Sequence, residues 1–247
     1  MARERSMAEI RDKYIVLHRK LIELAESIFD EHLRKITVDL IKDPRITFAN
    51  VTAKISFYES PAAPQKHHSY PGGLLEHTYS VALTASALSD VYSRVYGVSV
   101  DKDLVISCAL LHDIFKYYQY EKDPITGGYR IRTDWFLSHE FSVIAELAKR
   151  NAPERLLRCI SEVHGTTPFS TIEGLIVHEA DASDASYVSI LQTIVWNACR
   201  DVETDTGIPA IKVFHKALSK KPLVELIKTY YEGGRENLIK TLKLLIQ

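Results

Sequence analysis

Apolar residues recur at helical spacing along most of the chain, and this periodicity restricts the fold more than any other sequence feature. Over residues 8–41 it predicts one long amphipathic helix or two consecutive ones, with Asp43-Pro44 as the stop. Residues 46–58 mix helical and alternating patterns and leave helix and extended chain both open. Further helices are predicted over residues 74–96, 101–118, 138–150, 153–163, 171–184, 187–200, 209–219, 222–231 and 235–246. The sequence therefore predicts an all-α fold of nine or ten helices.

One segment departs from the helical pattern. Residues 119–133, QYEKDPITGGYRIRT, place Asp-Pro and Gly-Gly between two flanks that contain Tyr and Ile. Such punctuation is typical of a turn or a small β-hairpin. The length of 247 residues exceeds one average domain but falls short of a secure case for two. We therefore expect one helical domain with appended elements.

The composition excludes several classes of protein. Hydrophobic residues make up 46% of the chain, enough for a buried core, and the 31 basic and 32 acidic residues nearly cancel. This balance argues against a protein that binds nucleic acid or membrane surfaces through bulk charge. The three cysteines stand singly, which predicts neither a thiolate zinc site nor a disulfide framework. Without an apolar signal or membrane segment, we expect a cytoplasmic protein.

The placement of histidine is uneven. Eight of the ten histidines fall between His67 and His215. We expect His18, His32 and His215 at the surface, on polar or Lys-rich helix faces. Other polar residues lie inside apolar helical stretches, and these are His77, His112, Asp113, His139, His164, His178 and Asp181.

The run ALLHDIF illustrates why these positions carry chemistry. Burying an imidazole and a carboxylate among Leu, Ile and Phe costs several kcal/mol unless a partner satisfies them. A His-Asp pair hydrogen-bonded within a helical core is the simpler alternative. Further imidazoles and Asp181 on separate helices favour a metal ion instead. Mixed nitrogen and oxygen ligands suit Mn, Fe, Co, Ni or Zn better than Mg or Ca.

A divalent ion of this kind lowers the pKa of a coordinated water, which predicts hydrolysis but leaves phosphoryl and carbonyl centres both open. Lys116, three residues beyond Asp113, would project from the same helix face and place an ammonium against an anionic oxygen. The alternative is an ordinary lysine stabilised by the C-terminal end of the helix dipole.

The order of His77, His112-Asp113 and Asp181 resembles the HD-domain metal-dependent phosphohydrolase superfamily. The segments HHSYPGGLLEHT, LLHDIFK and HEADASDA are similar to the branch that includes bacterial 3′-to-5′ exoribonucleases, whose second segment contains HDIGK. The resemblance covers about residues 60–186. It implies an all-helical HD core over these residues and does not cover the flanking helices. We expect a single HD-type domain over residues 1–247, with the N-terminal helices within 1–59 and the C-terminal helices within 187–247 added to that core.

The resemblance also implies roles for individual residues. A first metal ion would be bound by His77, His112, Asp113 and Asp181. In members with two ions, His139 and His164 would bind the second and Asp113 would bridge. Asp113 would orient the attacking hydroxide, with Asp184 in support of a ligand. Lys116 would contact phosphate, and His67, His68 and Tyr70 would line the substrate entrance.

Two positions depart from the family pattern. Phe115 replaces the glycine of HDIGK, which would narrow the pocket or alter how the helix packs. Val163 precedes His164 where some relatives have a His-His pair, which puts a fully furnished second metal site in question.

We therefore expect a metal-dependent phosphohydrolase that cleaves a phosphomonoester or phosphodiester of a nucleotide with one or two divalent ions. An exoribonuclease-like nuclease is an alternative, although the charge balance and the lack of an added β-barrel pattern place long nucleic acid below a small substrate. A regulatory module that binds metal or nucleotide without turnover is another, and Phe115 is its only support. The terminal helices would be free to pack across a homo-oligomer interface.

Overall fold

The computed structural model describes the backbone of residues 2–247 and the side chains of residues 13–247. The α-helices are α1 (Ala2–Glu26), α2 (Glu31–Lys42), α3 (Gly73–Tyr96), α4 (Lys102–Leu111), α5 (His139–Lys149), α6 (Glu154–Glu162), α7 (Ile172–Thr206), α8 (Ala210–Leu218) and α9 (Leu223–Ile246). Short 3₁₀ helices span Phe57–Glu59 and Lys116–Gln119, and an antiparallel hairpin joins β1 (Tyr120–Lys122) to β2 (Tyr129–Ile131). The predicted all-α class and the small hairpin are confirmed.

The predicted helical stretch over residues 8–41 forms two helices. Asp30 separates them, because its carboxylate accepts hydrogen bonds from the backbone of His32 and Leu33 at 2.9 Å and caps α2. Asp103 of α4 accepts from the backbone of Phe29 and Asp30, which fixes the junction. Ile10, part of the predicted pattern, lies outside the residues whose side chains are described.

Two of the helix predictions differ in the structure. The helix expected over residues 101–118 ends at Leu111, because the ladder tightens to three-residue bonds, from Ile114 N to Leu111 O and from Lys116 N to Asp113 O. The helices expected over residues 171–184 and 187–200 are one helix, since no glycine or proline separates them, and α7 ends only at Gly207. In α9, Gly233 and Gly234 break the helical geometry, as the pattern predicts.

The buried apolar side chains of the described residues form two clusters that share α7. The larger cluster is enclosed by α1 to α6, the hairpin and the first part of α7, and the smaller one by the second part of α7 with α8 and α9. Because both clusters bury one face of α7, this helix holds the two ends of the chain together. Among the described residues, no helix has the length and apolarity needed to span a membrane.

The loop between α6 and α7 is held by a buried carboxylate. Glu162, only 2% exposed, accepts hydrogen bonds from the backbone N–H of Ser170 and Thr171 at 3.0 and 3.1 Å. It also accepts from their hydroxyls at 2.5 and 2.6 Å. Thr171 in turn caps α7 through the N–H of Gly174. The loop that contains His164 is therefore anchored to the helix before it.

We predict that Glu162→Ala lowers the free energy of unfolding by about 2–4 kcal/mol, because it removes the acceptor of several buried donors. Chemical denaturation of the metal-free protein measures the change. Glu154→Ala is the matched control, since that side chain is 81% exposed and pairs only with Arg158, and it should cost less than about 0.5 kcal/mol. Equal destabilisation by both variants would contradict the anchoring role.

Candidate active site

Four predicted ligands meet at one buried point. His77 comes from α3, His112 and Asp113 from the end of α4, and Asp181 from α7. His77 Nε2 lies 3.3 Å from Asp113 Oδ2 and 3.1 Å from Asp181 Oδ1, and His112 Nε2 lies 3.4 Å from Asp113 Oδ2. The four ligand atoms all lie within 4.8 Å of one another, close enough to surround a single ion.

The donor atoms at this point contact one another and the ammonium of Lys116 but make no other hydrogen bond among the described residues. His77 Nε2, His112 Nε2 and both carboxylate oxygens of Asp113 are buried without a hydrogen bond among the described atoms. The opposite ring nitrogens are occupied, since His77 Nδ1 donates to Asp184 at 2.7 Å and His112 Nδ1 donates to the carbonyl of Ala109 at 2.9 Å. These bonds direct the Nε2 lone pairs inward, as they do at histidine metal sites. The residues therefore fit a divalent transition-metal ion.

A second group of ligands surrounds the other oxygen of Asp113. His139 Nε2 and His164 Nε2 lie 3.3 and 3.5 Å from Asp113 Oδ1, and 3.1 Å from each other. His139 is the first residue of α5, and His164 follows α6. Val163 before His164 does not keep these imidazoles from Asp113, whose two oxygens face the two groups as a bridging carboxylate would.

The surroundings shift the pKa values of these histidines in opposite directions. Burial lowers the pKa of His139 to about 3. Burial also disfavours the charged form of His164, but Asp113 and Asp181 outweigh it and raise the pKa to about 9. For the fully buried His77, the carboxylates of Asp113, Asp181 and Asp184 overcome burial and raise its pKa well above the usual value. In the metal-free protein, protons on His77 and His164 balance the carboxylates.

Lys116 places its ammonium beside the carboxylate of Asp113. Its Nζ lies 2.5 Å from Asp113 Oδ2, and the residue is only 8% exposed. Burial disfavours the charged form, but the charge of Asp113 outweighs it and raises the pKa of Lys116. The three-residue spacing brings the two together as predicted, although Lys116 begins a 3₁₀ helix rather than extending α4. A charged ammonium therefore faces the centre at neutral pH.

The segment that contains His67, His68 and Tyr70 packs against His77. His67 and His68 are buried with their Nδ1 atoms 3.1 Å apart, and both rings lie within 5.3 Å of the His77 ring. His68 adopts a left-handed φ of 48°, and a Cβ at Gly73 would lie 2.2 Å from its carbonyl oxygen. Tyr70 donates through its hydroxyl to Glu76 at 2.7 Å.

Sequence reasoning missed the residue that holds this segment. Gln192 on α7 accepts from the N–H of Ser69 at 2.8 Å and donates to the carbonyl of Lys66 and the hydroxyl of Ser69 at 3.3 and 3.2 Å. Its spacing from Asp181 and Asp184 places all three on one face of α7, and this periodicity is the signal that could have found it.

Other expectations have mixed outcomes. Phe115 is fully buried in the larger core, with its ring packed edge-on against Tyr118. His178 donates through Nδ1 to the Val163 carbonyl at 2.6 Å, and it belongs to none of the ligand groups found among the described residues. His32 is exposed as predicted, and His18 is half-buried. The surface placement of His215 is wrong, because the hairpin covers it and leaves it 8% exposed.

The helical fold and the His/Asp centre define a class that comparison with known families supports. The family model described as the HD domain matches residues 74–186. The chain belongs to this family. HD domains bind divalent metal ions, and the ligand groups around Asp113 are able to hold one.

Two relatives are informative. The dihydroneopterin 2′,3′-cyclic phosphate phosphodiesterase of Methanocaldococcus jannaschii is 37% identical over 234 residues, which cover 92% of this chain and 88% of the relative. The 3′-5′ exoribonuclease YhaM of Bacillus subtilis is 31% identical over 93 residues, 38% of this chain and 27% of that protein. No solved structure gives a significant match. The prediction of an HD-family metal-dependent phosphohydrolase is confirmed.

We predict that metal uptake releases protons. His164, with a pKa of about 9, and His77, with a strongly raised pKa, are protonated at pH 7 in the metal-free protein, so a bound ion must displace those protons. Affinity should therefore rise as the pH rises towards 9. Titration calorimetry in buffers of different ionisation heat should give about one to two protons released per chain. Metal uptake without proton release would contradict this.

We predict that Gln192→Leu lowers kcat/KM about tenfold with metal content unchanged, because the loss of its hydrogen bonds frees the segment that contains His67 and His68. Turnover of bis(p-nitrophenyl) phosphate and elemental analysis measure the two quantities. Thr193→Ala is the matched control on the same helix, since Thr193 is exposed and its hydroxyl bonds only Ser189. Loss of metal in step with activity would show a general defect instead.

Proposed function

We propose that this chain is a phosphodiesterase that opens a 2′,3′-cyclic phosphate on a small nucleotide-like molecule. The observation that carries the proposal is the Asp113 carboxylate, whose two oxygens face two separate groups of histidines. The second support is the 37% identity, over 92% of this chain, to a phosphodiesterase named for such a substrate. The first supports hydrolysis at a metal centre, and the second supports a small cyclic diester as the substrate.

The proposed metal site has two parts. His77, His112, Asp113 and Asp181 would hold one divalent ion, and Asp113, His139 and His164 a second. The imidazole and carboxylate donors favour Mn, Fe, Co, Ni or Zn. When bound, such ions supply Lewis acidity to a phosphoryl oxygen and lower the pKa of water towards neutrality.

The open side of the centre sets the direction of substrate approach. The side chains of His77, His112 and Asp113 are fully buried, whereas those of Asp181, His139 and His164 are 18–20% exposed. The phosphate would enter past these three residues. The interior would meet it with the ammonium of Lys116, whose charge offsets that on the phosphoryl oxygens in the transition state. His68 would contact the substrate. Tyr70 would hold the segment that contains His67 and His68 in place through its hydrogen bond to Glu76.

The proposed reaction consumes one water. Its oxygen forms a bond to phosphorus, the bond from phosphorus to one ring oxygen breaks, and that oxygen takes up a proton. The product is a phosphomonoester beside a free hydroxyl. Asp113 and Asp181, whose pKa values their cationic neighbours hold well below the usual range despite burial, stay ionised throughout.

An RNA substrate has less support. The match to the exoribonuclease covers 27% of that protein, and the net charge of −1 provides no bulk attraction for a long polyanion. A cytoplasmic location, a single-domain organisation and assembly into a homo-oligomer stay predictions.

The test is a substrate panel on the purified chain with each candidate metal. It contains dihydroneopterin 2′,3′-cyclic phosphate, 2′,3′-cyclic GMP, 3′,5′-cyclic GMP, p-nitrophenyl phosphate and short RNA. We expect the 2′,3′-cyclic phosphates to give the highest kcat/KM and monoester products. Asp113→Asn is the control for contaminating activity. Preferred turnover of the monoester or of RNA, or no turnover by metal-loaded protein, would overturn the proposal.

We predict that Lys116→Met lowers kcat about 100- to 1000-fold, the usual cost of losing a group that stabilises transition-state charge. Methionine keeps the length of the apolar stem. Metal content should hold or rise, since an ammonium 2.5 Å from Asp113 opposes cation binding. Lys102→Met, at an exposed lysine, is the control. If kcat falls only as metal is lost, Lys116 is structural.

A further inference from the structure

A second cleft, of about 790 Å³, lies between α1, the hairpin and α8. Its described lining contains none of the proposed metal ligands. Three tyrosines and one histidine contribute to its lining, and the pair formed by Lys122 and Glu59 at 3.0 Å lies at its partly exposed edge. The lining residues central to the argument are Tyr14, Tyr58, Tyr129 and His215.

His215 contributes its imidazole to the lining of this cleft. It is 8% exposed, yet its ring nitrogens have no hydrogen-bond partner among the described residues. The hairpin approaches it so closely that a Cβ at Gly128 would lie 2.3 Å from Nε2. Burial lowers the pKa of His215, so the neutral ring offers one donor and one acceptor nitrogen. Because no described group bonds these nitrogens and His215 lines the cleft, both are available to a ligand there.

Tyr129 repeats this arrangement on the facing strand. It is 8% exposed, and its hydroxyl likewise has no hydrogen-bond partner among the described residues. Tyr58 and Tyr14 differ, because the first is paired with His18 and the second donates to the carbonyl of Pro71. The cleft thus combines aromatic rings with two polar groups that no described protein group bonds, and the Lys122–Glu59 pair leaves its lining without net charge.

We propose that this cleft is a second binding site, separate from the metal centre, for a flat and uncharged heteroaromatic ring with hydrogen-bond donors and acceptors on its edge. Aromatic side chains stack on such rings, and the imidazole of His215 and the hydroxyl of Tyr129 would bond the edge. Nucleobases and pterins share this chemistry.

The segment from His67 to Pro71 connects this cleft to the proposed metal centre. Pro71 lines the cleft and directly follows Tyr70, and Tyr14 bonds its carbonyl. A ring bound there would contact Pro71, three residues after His68.

Calorimetry with neopterin and with guanosine, on the full chain loaded with metal, tests the proposal. We expect saturable binding of at least one of them. His215→Leu and Tyr129→Phe should each weaken binding about fivefold, the usual effect of one neutral hydrogen bond. His32→Leu, at an exposed histidine, and Lys116→Met at the metal centre should leave this binding unchanged.

Two outcomes would overturn the proposal. One is no binding of either ring at millimolar concentration, and the other is binding that Lys116→Met abolishes and His215→Leu does not, which would assign the ring to the metal centre. Thermal unfolding accompanies each variant. Tyr129→Phe removes one oxygen and keeps the ring, so it tests the site even if His215→Leu fails to fold.

Discussion

The rest of the structure depends on the carboxylate of Asp113. It is fully buried, and an isolated charge there would cost several kcal/mol. Imidazole and ammonium groups surround it and come from α3, the end of α4, α5, the loop after α6 and the 3₁₀ helix, namely His77, His112, Lys116, His139 and His164. The tightened turn after Leu111 brings Lys116 to the same carboxylate as the histidines. The charge of Asp113 can therefore be buried only because several elements of the fold bring partner groups to it.

Buried carboxylates also anchor the loops of this fold. Glu162 holds the loop after His164, and Glu146 on α5 accepts from the backbone of Thr47 and Phe48 at 2.6 and 3.2 Å. Gln192 does the same for the segment that contains His68, whose left-handed φ requires such support. Polar groups on neighbouring helices thus hold these irregular segments in place. The imidazoles therefore lose little conformational entropy when they come together.

The sequence predicts the helices and the residues of the centre wherever a local pattern marks them. Apolar flanks revealed the centre, because His77, His112 and Asp113 interrupt helices that must be buried. The end of α4 was not readable, since three- and four-residue ladders leave similar apolar patterns over one turn. The surface position predicted for His215 is wrong for another reason. Its helix is rich in lysine, and only the tertiary contact with Gly128 shows that the hairpin covers it. The contacts of Gln192 were not predicted, because its hydrogen-bond partners lie more than 120 residues away in the chain.

Helix α7 contributes Asp181 to the centre, Asp184 to the orientation of His77 and Gln192 to the segment around His68, all on one face. Each residue of an α-helix rotates the next by about 100°. A single-residue insertion or deletion between Asp184 and Gln192 would turn Gln192 and the second core away while leaving Asp181 in place. During divergence this helix should therefore accept exchanges of residue type at exposed positions far more readily than any change in its length.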